Sequence, residues 1–415
     1  MRSPSIEGLG GLLSAQAEDT PQLLQRCLRA IRTHLDMEAA FVSEFKDGRR
    51  WFRQVDQADS APLLLVGGSD PLEESYCQRV VDGRLPELIP DACQLPEALR
   101  LAATRALPVG AHLSVPLRLR DGSLYGTFCC FSRLPDPSLR TRDLRLMRVL
   151  AELVAEGLSA ELEAARHQAQ ARARIRAAQQ DGALQMVYQP ICDVARGHVV
   201  GFEALARFRT LPPRTPDLWF AEAAELGCSA ELELQAIAAA LGPLARIPAP
   251  TYLSINASPS TLLHPGLPAL LQDFPLERVV VEVTEHAAVE HYEELATALR
   301  PLQRRGLQLA IDDAGAGYAS FRHVLNLAPQ QIKMDISLTR NIHCDASRVA
   351  LAAALCSFGR ATGCLIVAEG IECDAELQTL RELGVSRGQG YHLGRPAALD
   401  SGLGLLPAQR PAGLH

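Results

Sequence analysis

The sequence predicts an α/β protein of two domains: a TIM-like (β/α)8 barrel preceded by an α+β domain with an antiparallel sheet. Three observations predict it. Eight short β-type runs separated by helical stretches lie between residues 185 and 391, which is the strand count of a closed barrel. Most of these runs end in polar groups, and the C-terminal rim of such a barrel is where polar groups escape desolvation. At 415 residues the chain exceeds one ordinary domain, and a barrel of about 250 residues leaves room for a second of about 150.

The N-terminal elements are read from pattern and turn chemistry. Residues 1–18 are rich in Gly and Ser and are expected to be flexible. Leu23, Leu24, Cys27, Leu28, Ile31 and Leu35 have helical spacing, with Thr20 as the expected cap. Ala39 to Phe45 and Arg49 to Val55 flank Lys46-Asp-Gly48 as a hairpin, and Ala111 to Leu119 and Ser123 to Phe131 flank Asp121-Gly122 as a second. These give the antiparallel sheet. Cys129 and Cys130 fall on opposite faces of one strand and so cannot share a metal. Cys77 is expected as a buried structural thiol, and His112 as a hydrogen-bonded sheet residue.

From Leu139 the apolar positions Leu144, Met147, Leu150, Val154, Leu158 and Leu162 continue a helical stripe into an Ala-, Gln- and Arg-rich stretch. One connecting helix over 139–180 is expected. It serves either as a cap on the first sheet that trails into a solvated linker or as the seam of a homodimer, although the stripe thins after Leu162.

The barrel runs carry the chemistry. Gly201-Phe-Glu-Ala-Leu-Ala-Arg-Phe208 brings Glu203 and Arg207 to one strand end, an anion beside a cation. Leu253-Ser-Ile-Asn256, Val279 to Glu285, Leu309 to Asp313, Gln331 to Asp335, Ile366 to Glu369 and Arg387 to Tyr391 follow, after the opening run Gln185 to Gln189. Gly370, Gly388 and Gly390 read as backbone devices for tight turns.

Composition bounds the function. Hydrophobic residues make up 47% and the net charge is −7, from 41 basic and 48 acidic residues, so packed cores are expected and binding to nucleic acid polymers is not. No apolar run approaches the roughly 20 residues of a membrane span, and the N-terminus lacks the pattern of a signal peptide. The 11 cysteines show no Cys-x-x-Cys pair and no zinc-type His spacing, which predicts a reduced, cytoplasmic protein.

Tyr188-Gln-Pro-Ile191, Gly201 to Arg207, Asn256, Glu282-Val-Thr-Glu285, Asp312-Asp-Ala-Gly-Ala-Gly-Tyr318, Lys333-Met-Asp335, Glu369-Gly-Ile-Glu372 and Gly388-Gln-Gly-Tyr391 together resemble the EAL family of cyclic di-GMP phosphodiesterases over about residues 180 to 400. The stretch Ser75 to Asp91, with Pro108 to His112 and Leu124 to Phe131, resembles GAF domains, small-ligand or redox sensors placed before output enzymes. The organisation implied is a GAF domain over 19–160, the connecting helix, and an EAL domain over 181–405.

That resemblance implies metal-dependent hydrolysis of cyclic di-GMP to linear 5′-pGpG under GAF control. The alternative is a catalytically weak receptor that binds the dinucleotide and signals to a protein partner. It also implies two Mg2+ or Mn2+ ions on Glu203, Asn256, Glu282, Asp312 and Asp313, with Asp312 as the bridge; hard cations want such oxygen ligands. Lys333, Glu369 and Glu285 are implied as catalytic: Lys333 contacts the attacking water, Glu369 keeps the site in register, and Glu285 fixes the loop after Asp313. Gln189, Leu205, Arg207, Asp335 and Gln389 are implied substrate contacts. The chain departs from the family at Ala314 and Ala316, where Phe and Thr are usual, which implies a change in rate or regulation.

Overall fold

The computed structural model describes residues 19–58, 63–284, 292–314 and 319–406. Two compact units divide the chain, Met1–Gln168 and Ala169–His415.

In the first unit, Leu24, Cys27, Leu28, Ile31 and Leu35 form the buried face of the helix Thr20–Leu35. Its N-cap is Asp19, one residue before the threonine expected there. Strands β1 (Ala39–Lys46), β2 (Arg49–Gln57), β3 (Ser69–Pro71), β4 (Leu88–Ile89), β5 (Ala111–Arg118) and β6 (Leu124–Ser132) pair antiparallel in the order β3-β2-β1-β6-β5-β4. Both expected hairpins form. The β1–β2 turn places Asp47 and Gly48 at φ 53° and 70°, the left-handed pair that suits strand twist.

Side-chain alternation splits this sheet between two cores. Leu113, Phe128 and Cys130 join Leu28, Ile31, Met147 and Val154 on one face. Phe41, Phe52 and Cys129 join Tyr76, Cys77 and Ile89 on the other. The helix Thr141–Ala178 is one element, as its composition predicts. Its last turns do not trail off as a solvated linker. Ile175 and Ala178 are buried with Phe208, Trp219, Ala223 and Leu232 in the second unit.

That unit is a closed barrel of β7 (Leu184–Asp193), β8 (Val199–Phe208), β9 (Tyr252–Asn256), β10 (Val279–Thr284), β11 (Gln308–Ala314), β12 (Gln331–Met334), β13 (Leu365–Ala368) and β14 (Arg387–Gly388). Strands β8 to β14 run parallel, while β7 is antiparallel to both β8 and β14. The expected TIM-like (β/α)8 barrel thus forms, with its first strand reversed. The cause is local. β7 and β8 are joined by the tight turn in which Asp193 N–H donates to His198 O and Gly197 takes φ 72°. A parallel pair would need a crossover of a dozen residues or more.

The barrel floor is apolar, built from Ile191, Tyr252, Val280, Ala310 and Val367. Gly201 makes room for it: a Cβ there would lie 2.4 Å from the Tyr252 ring.

Candidate active site

Two residues along the same strand faces, the barrel interior changes from apolar to ionic. Val280 is followed by Glu282, Ala310 by Asp312, Val367 by Glu369 and Gly201 by Glu203, while in the inverted β7 Gln189 precedes Ile191. Alternation on a closed sheet thus converges side chains from residues scattered over 180 positions. Lys333 of β12 is their centre. Its Nζ lies 2.7 Å from Glu282 and from Glu369, 3.1 Å from Asp312 and 3.6 Å from Glu203. Lys333 is 1% exposed, Glu282 2%, Glu203 5% and Asp312 8%.

Neutral groups hold these carboxylates in place. Gln389 Nε2 donates to Glu203 at 2.5 Å and to Gln189 Oε1 at 3.0 Å, and Gln189 donates to Gly394 O at 3.1 Å. Asn256 Nδ2 donates to Glu203 at 3.1 Å, and Ser254 Oγ donates to Glu282. The Asp313 N–H donates to the Asp312 carboxylate at 3.0 Å, with Asp313 itself in the left-handed region at φ 57°.

Four carboxylates against one ammonium leave excess negative charge in a buried place. Burial pushes Glu282 up, and the neighbouring Glu203 and Asp312 add to this, so it stands well above the usual carboxylate range despite Lys333. Burial likewise pushes Glu369 up to about 8. Glu203 is opposed by the same burial but falls below its ordinary value because Lys333, Gln389 and Asn256 stabilise its charge. Burial works against the Lys333 ammonium too, yet Asp312, Glu203, Glu282 and Glu369 raise it well above the ordinary lysine value.

Next to this layer, meeting it at Asn256, lies a cleft of about 420 Å³ lined by Leu205, Arg207, Phe220, Glu233, Asn256 and Ser258, among others. Arg207 is exposed at its rim and donates to Ala206 O at 2.7 Å. Asp335 does not join the Lys333 group. It caps the turn Ile336–Thr339, accepting from Ser337 N at 2.9 Å. Ala314 is buried at the end of β11. Glu285 and Ala316 lie outside the described residues.

Sequence reasoning missed Ser254, Phe220 and Glu233. Ser254 sits two residues before Asn256 on one strand, so alternation alone could have found it. Phe220 and Glu233 come from helices with no period pointing to a cleft.

The EAL domain model matches residues 172–396, more than half of the chain, across the strands that carry these carboxylates. The chain belongs to the EAL family. A GAF domain model matches residues 17–159. The EAL region is similar to an uncharacterised signalling protein of Caulobacter vibrioides, 33% identical over 230 residues, 53% of this chain and 28% of that protein. The cyclic di-GMP phosphodiesterase PdeF of Escherichia coli is 31% identical over 195 residues, 45% of this chain and 26% of PdeF. RocR, a cyclic di-GMP phosphodiesterase of Pseudomonas aeruginosa, is 31% identical over 230 residues, 52% of this chain and 58% of RocR. The chain thus spans about a quarter of the length of the first two. Among solved structures, the PaMucR phosphodiesterase in complex with c-di-GMP is 26% identical with a TM-score of 0.51, covering 56% of this chain and 99% of that one. The EAL enzyme Bd1971 shares the fold at 19% identity, with a TM-score of 0.56 over 89% of this chain and 93% of that one.

The donor set of the EAL barrel fits hard divalent cations. The side-chain donors it offers are carboxylate and amide oxygens, and oxygens of Asp312, Asp313 and Glu369 lie within 4.8 Å of one another. The unbalanced charge around Lys333 is what such cations would neutralise.

Among the described residues no helix is long and apolar enough to cross a membrane.

Proposed function

We propose that this chain hydrolyses cyclic di-GMP to linear 5′-pGpG. The observation that carries the reading is the convergence of Glu203, Glu282, Asp312 and Glu369 on Lys333 at one end of the barrel. Glu203, Asn256, Glu282, Asp312 and Asp313 would hold Mg2+ or Mn2+. A pair of such ions supplies charge neutralisation at the phosphate, a more acidic water and stabilisation of the leaving oxygen.

The remaining roles belong to the chain's own groups. Lys333 enters as an ammonium, because four carboxylates hold its proton, so it donates hydrogen bonds and cannot serve as a base. Glu369 Oε1, 2.7 Å from Lys333 Nζ, keeps that ammonium in register with the other carboxylates. Gln389 holds Glu203 and Gln189 together. Arg207 can pair with a phosphate oxygen at the cleft rim, with Leu205 and Phe220 offering apolar surface to a base. Lys333, Glu369 and Glu285 are the proposed catalytic set, and Gln189, Leu205, Arg207 and Gln389 the substrate contacts. The GAF unit is proposed to set the rate.

The test is chromatography of cyclic di-GMP incubated with purified full-length protein in Mg2+ or Mn2+. Linear pGpG should form, and Glu203→Gln should abolish it while the protein stays folded. Tight binding of the dinucleotide by wild type with no product would replace this reading with that of a receptor.

A further inference from the structure

The GAF unit contains a second cluster of ligand-type side chains. Cys77 comes from the helix Tyr76–Val81, His112 from β5 and Cys129 from β6, residues up to 52 positions apart. All three are buried. Their ligating atoms lie within 4.8 Å of one another, and the two sulfurs are 3.3 Å apart. His112 is 3% exposed and packed against Tyr76 at a ring distance of 4.8 Å. The ring is hydrogen-bonded with Cys77 while its Nδ1 has no partner, so the expected hydrogen-bonded sheet histidine is satisfied through one ring nitrogen only. A buried imidazole beside two thiols, with one ring nitrogen left unpartnered, keeps bonding capacity that the protein itself does not use.

We propose that Cys77, His112 and Cys129 form a site for a thiophilic metal ion of the zinc class. The donor set selects the ion: two sulfurs and an imidazole suit zinc, whereas magnesium and calcium take oxygen. The geometry needs little adjustment. In a tetrahedral site with metal–sulfur bonds of about 2.3 Å, sulfurs stand about 3.8 Å apart, so these two must separate by roughly half an ångström. On binding, two S–H protons leave to solvent as two sulfur–metal bonds form, and no electrons move.

The surroundings suit a thiolate. Arg50 Nη1 donates to Cys77 Sγ at 3.0 Å, and the guanidinium is held by Asp70 at 2.5 and 3.0 Å and lies over the Phe41 and Phe52 rings. Ser114 Oγ and Thr127 Oγ1 lie 3.0 and 3.1 Å from Cys129 Sγ. Such N–H and O–H groups next to sulfur orient and tune metal-bound thiolates. Two thiolates neutralise a divalent charge, and Arg50 already has its counterion in Asp70. Three protein ligands leave a fourth position for water or an added ligand. Cys130, one residue on, is in the opposite core and takes no part. A second trio, His343, Cys373 and Glu376, is a weaker candidate, because Glu376 already accepts from Asn341, Glu372 and Cys373 N–H groups.

The experiment is a Co2+ titration of full-length protein, purified under reductant and stripped with chelator. About one equivalent should produce sulfur-to-cobalt charge-transfer absorption, which the all-oxygen barrel site cannot give, and Zn2+ should bleach it. The band should vanish in the Cys77→Ser/Cys129→Ser double variant, weaken roughly tenfold or more in apparent affinity in His112→Ala, and persist in Cys130→Ser. Since the double variant could misfold, wild type carries an independent readout: Zn2+ should raise the melting step of the GAF unit. Absence of the band in folded wild type, its survival in the double variant, or an as-isolated chain two hydrogens lighter with Cys77 joined to Cys129 would each overturn the proposal.

Discussion

The Nζ of Lys333 lies 2.7 Å from Glu282, and neither side chain is more than 2% exposed. An ion pair this deep is weak evidence of net stabilisation, but removing one partner is costly because the other stays buried and charged. Lys333→Met should therefore lower the stability of the metal-free barrel by about 3–5 kcal/mol, read by calorimetry as a downward shift of the barrel's melting step. A barrel that melts at an unchanged temperature would show that the ammonium does not hold these carboxylates.

Divalent cations should reverse much of that charge imbalance. Adding Mg2+ to chelator-treated wild type should stabilise the barrel by about 2.7 kcal/mol at a hundredfold excess over its dissociation constant. Asp312→Asn should blunt the response, since it removes a carboxylate 3.1 Å from Lys333. Melting curves with and without Mg2+ check this, and an indifferent wild type would count against the ligand set.

How much of this was legible in the sequence follows from periodicity. Glu203, Glu282, Asp312 and Glu369 stand at the ends of apolar runs, where strand alternation and barrel closure force them inward together. The reversal of β7 was not legible as such, because a run such as Gln185 to Gln189 reads the same in either direction; only the short Asp193–Val199 connection held the clue. The meeting of Cys77, His112 and Cys129 was hidden for another reason. It depends on how one short helix packs across a sheet, and no spacing in the chain encodes that. Asp335 looked like its neighbours in the Lys333 run but lies past the strand end, where a helix start claims its carboxylate.

Glu376 offers a test of pH dependence away from the barrel mouth. Burial pushes this carboxyl up, but N–H groups of Asn341, Glu372 and Cys373 donate to it and bring it below the ordinary value. A depressed folded value means that its stabilisation is complete above the unfolded glutamate value of about 4.3 and is lost as pH falls through the folded one. Glu376→Gln should cost about 1–2 kcal/mol near neutrality, and the gap to wild type should shrink below about pH 4. Parallel acid titrations of the two melting temperatures decide it; a gap that stays constant in acid would refute the assignment.

Gly370 tests how tightly the backbone next to Glu369 is constrained. Its φ is +65°, a region that side chains rarely adopt, and an added Cβ would lie 2.2 Å from Ile336 Cγ1. Gly370→Ala should push this segment away from the Ile336 helix start and carry Glu369 off Lys333. A displacement near 1 Å costs on the order of 100-fold in rate. The fall should appear in kcat for pGpG formation. Because the obstruction is the Ile336 side chain from its Cβ outward, with that Cβ itself 2.8 Å from the added carbon, Ile336→Gly in the Gly370→Ala background should clear it and recover part of the rate, leaving only the backbone strain of roughly 1–3 kcal/mol. No recovery in the double variant would mean that conformational strain alone, and not the collision with Ile336, fixes the residue at this position.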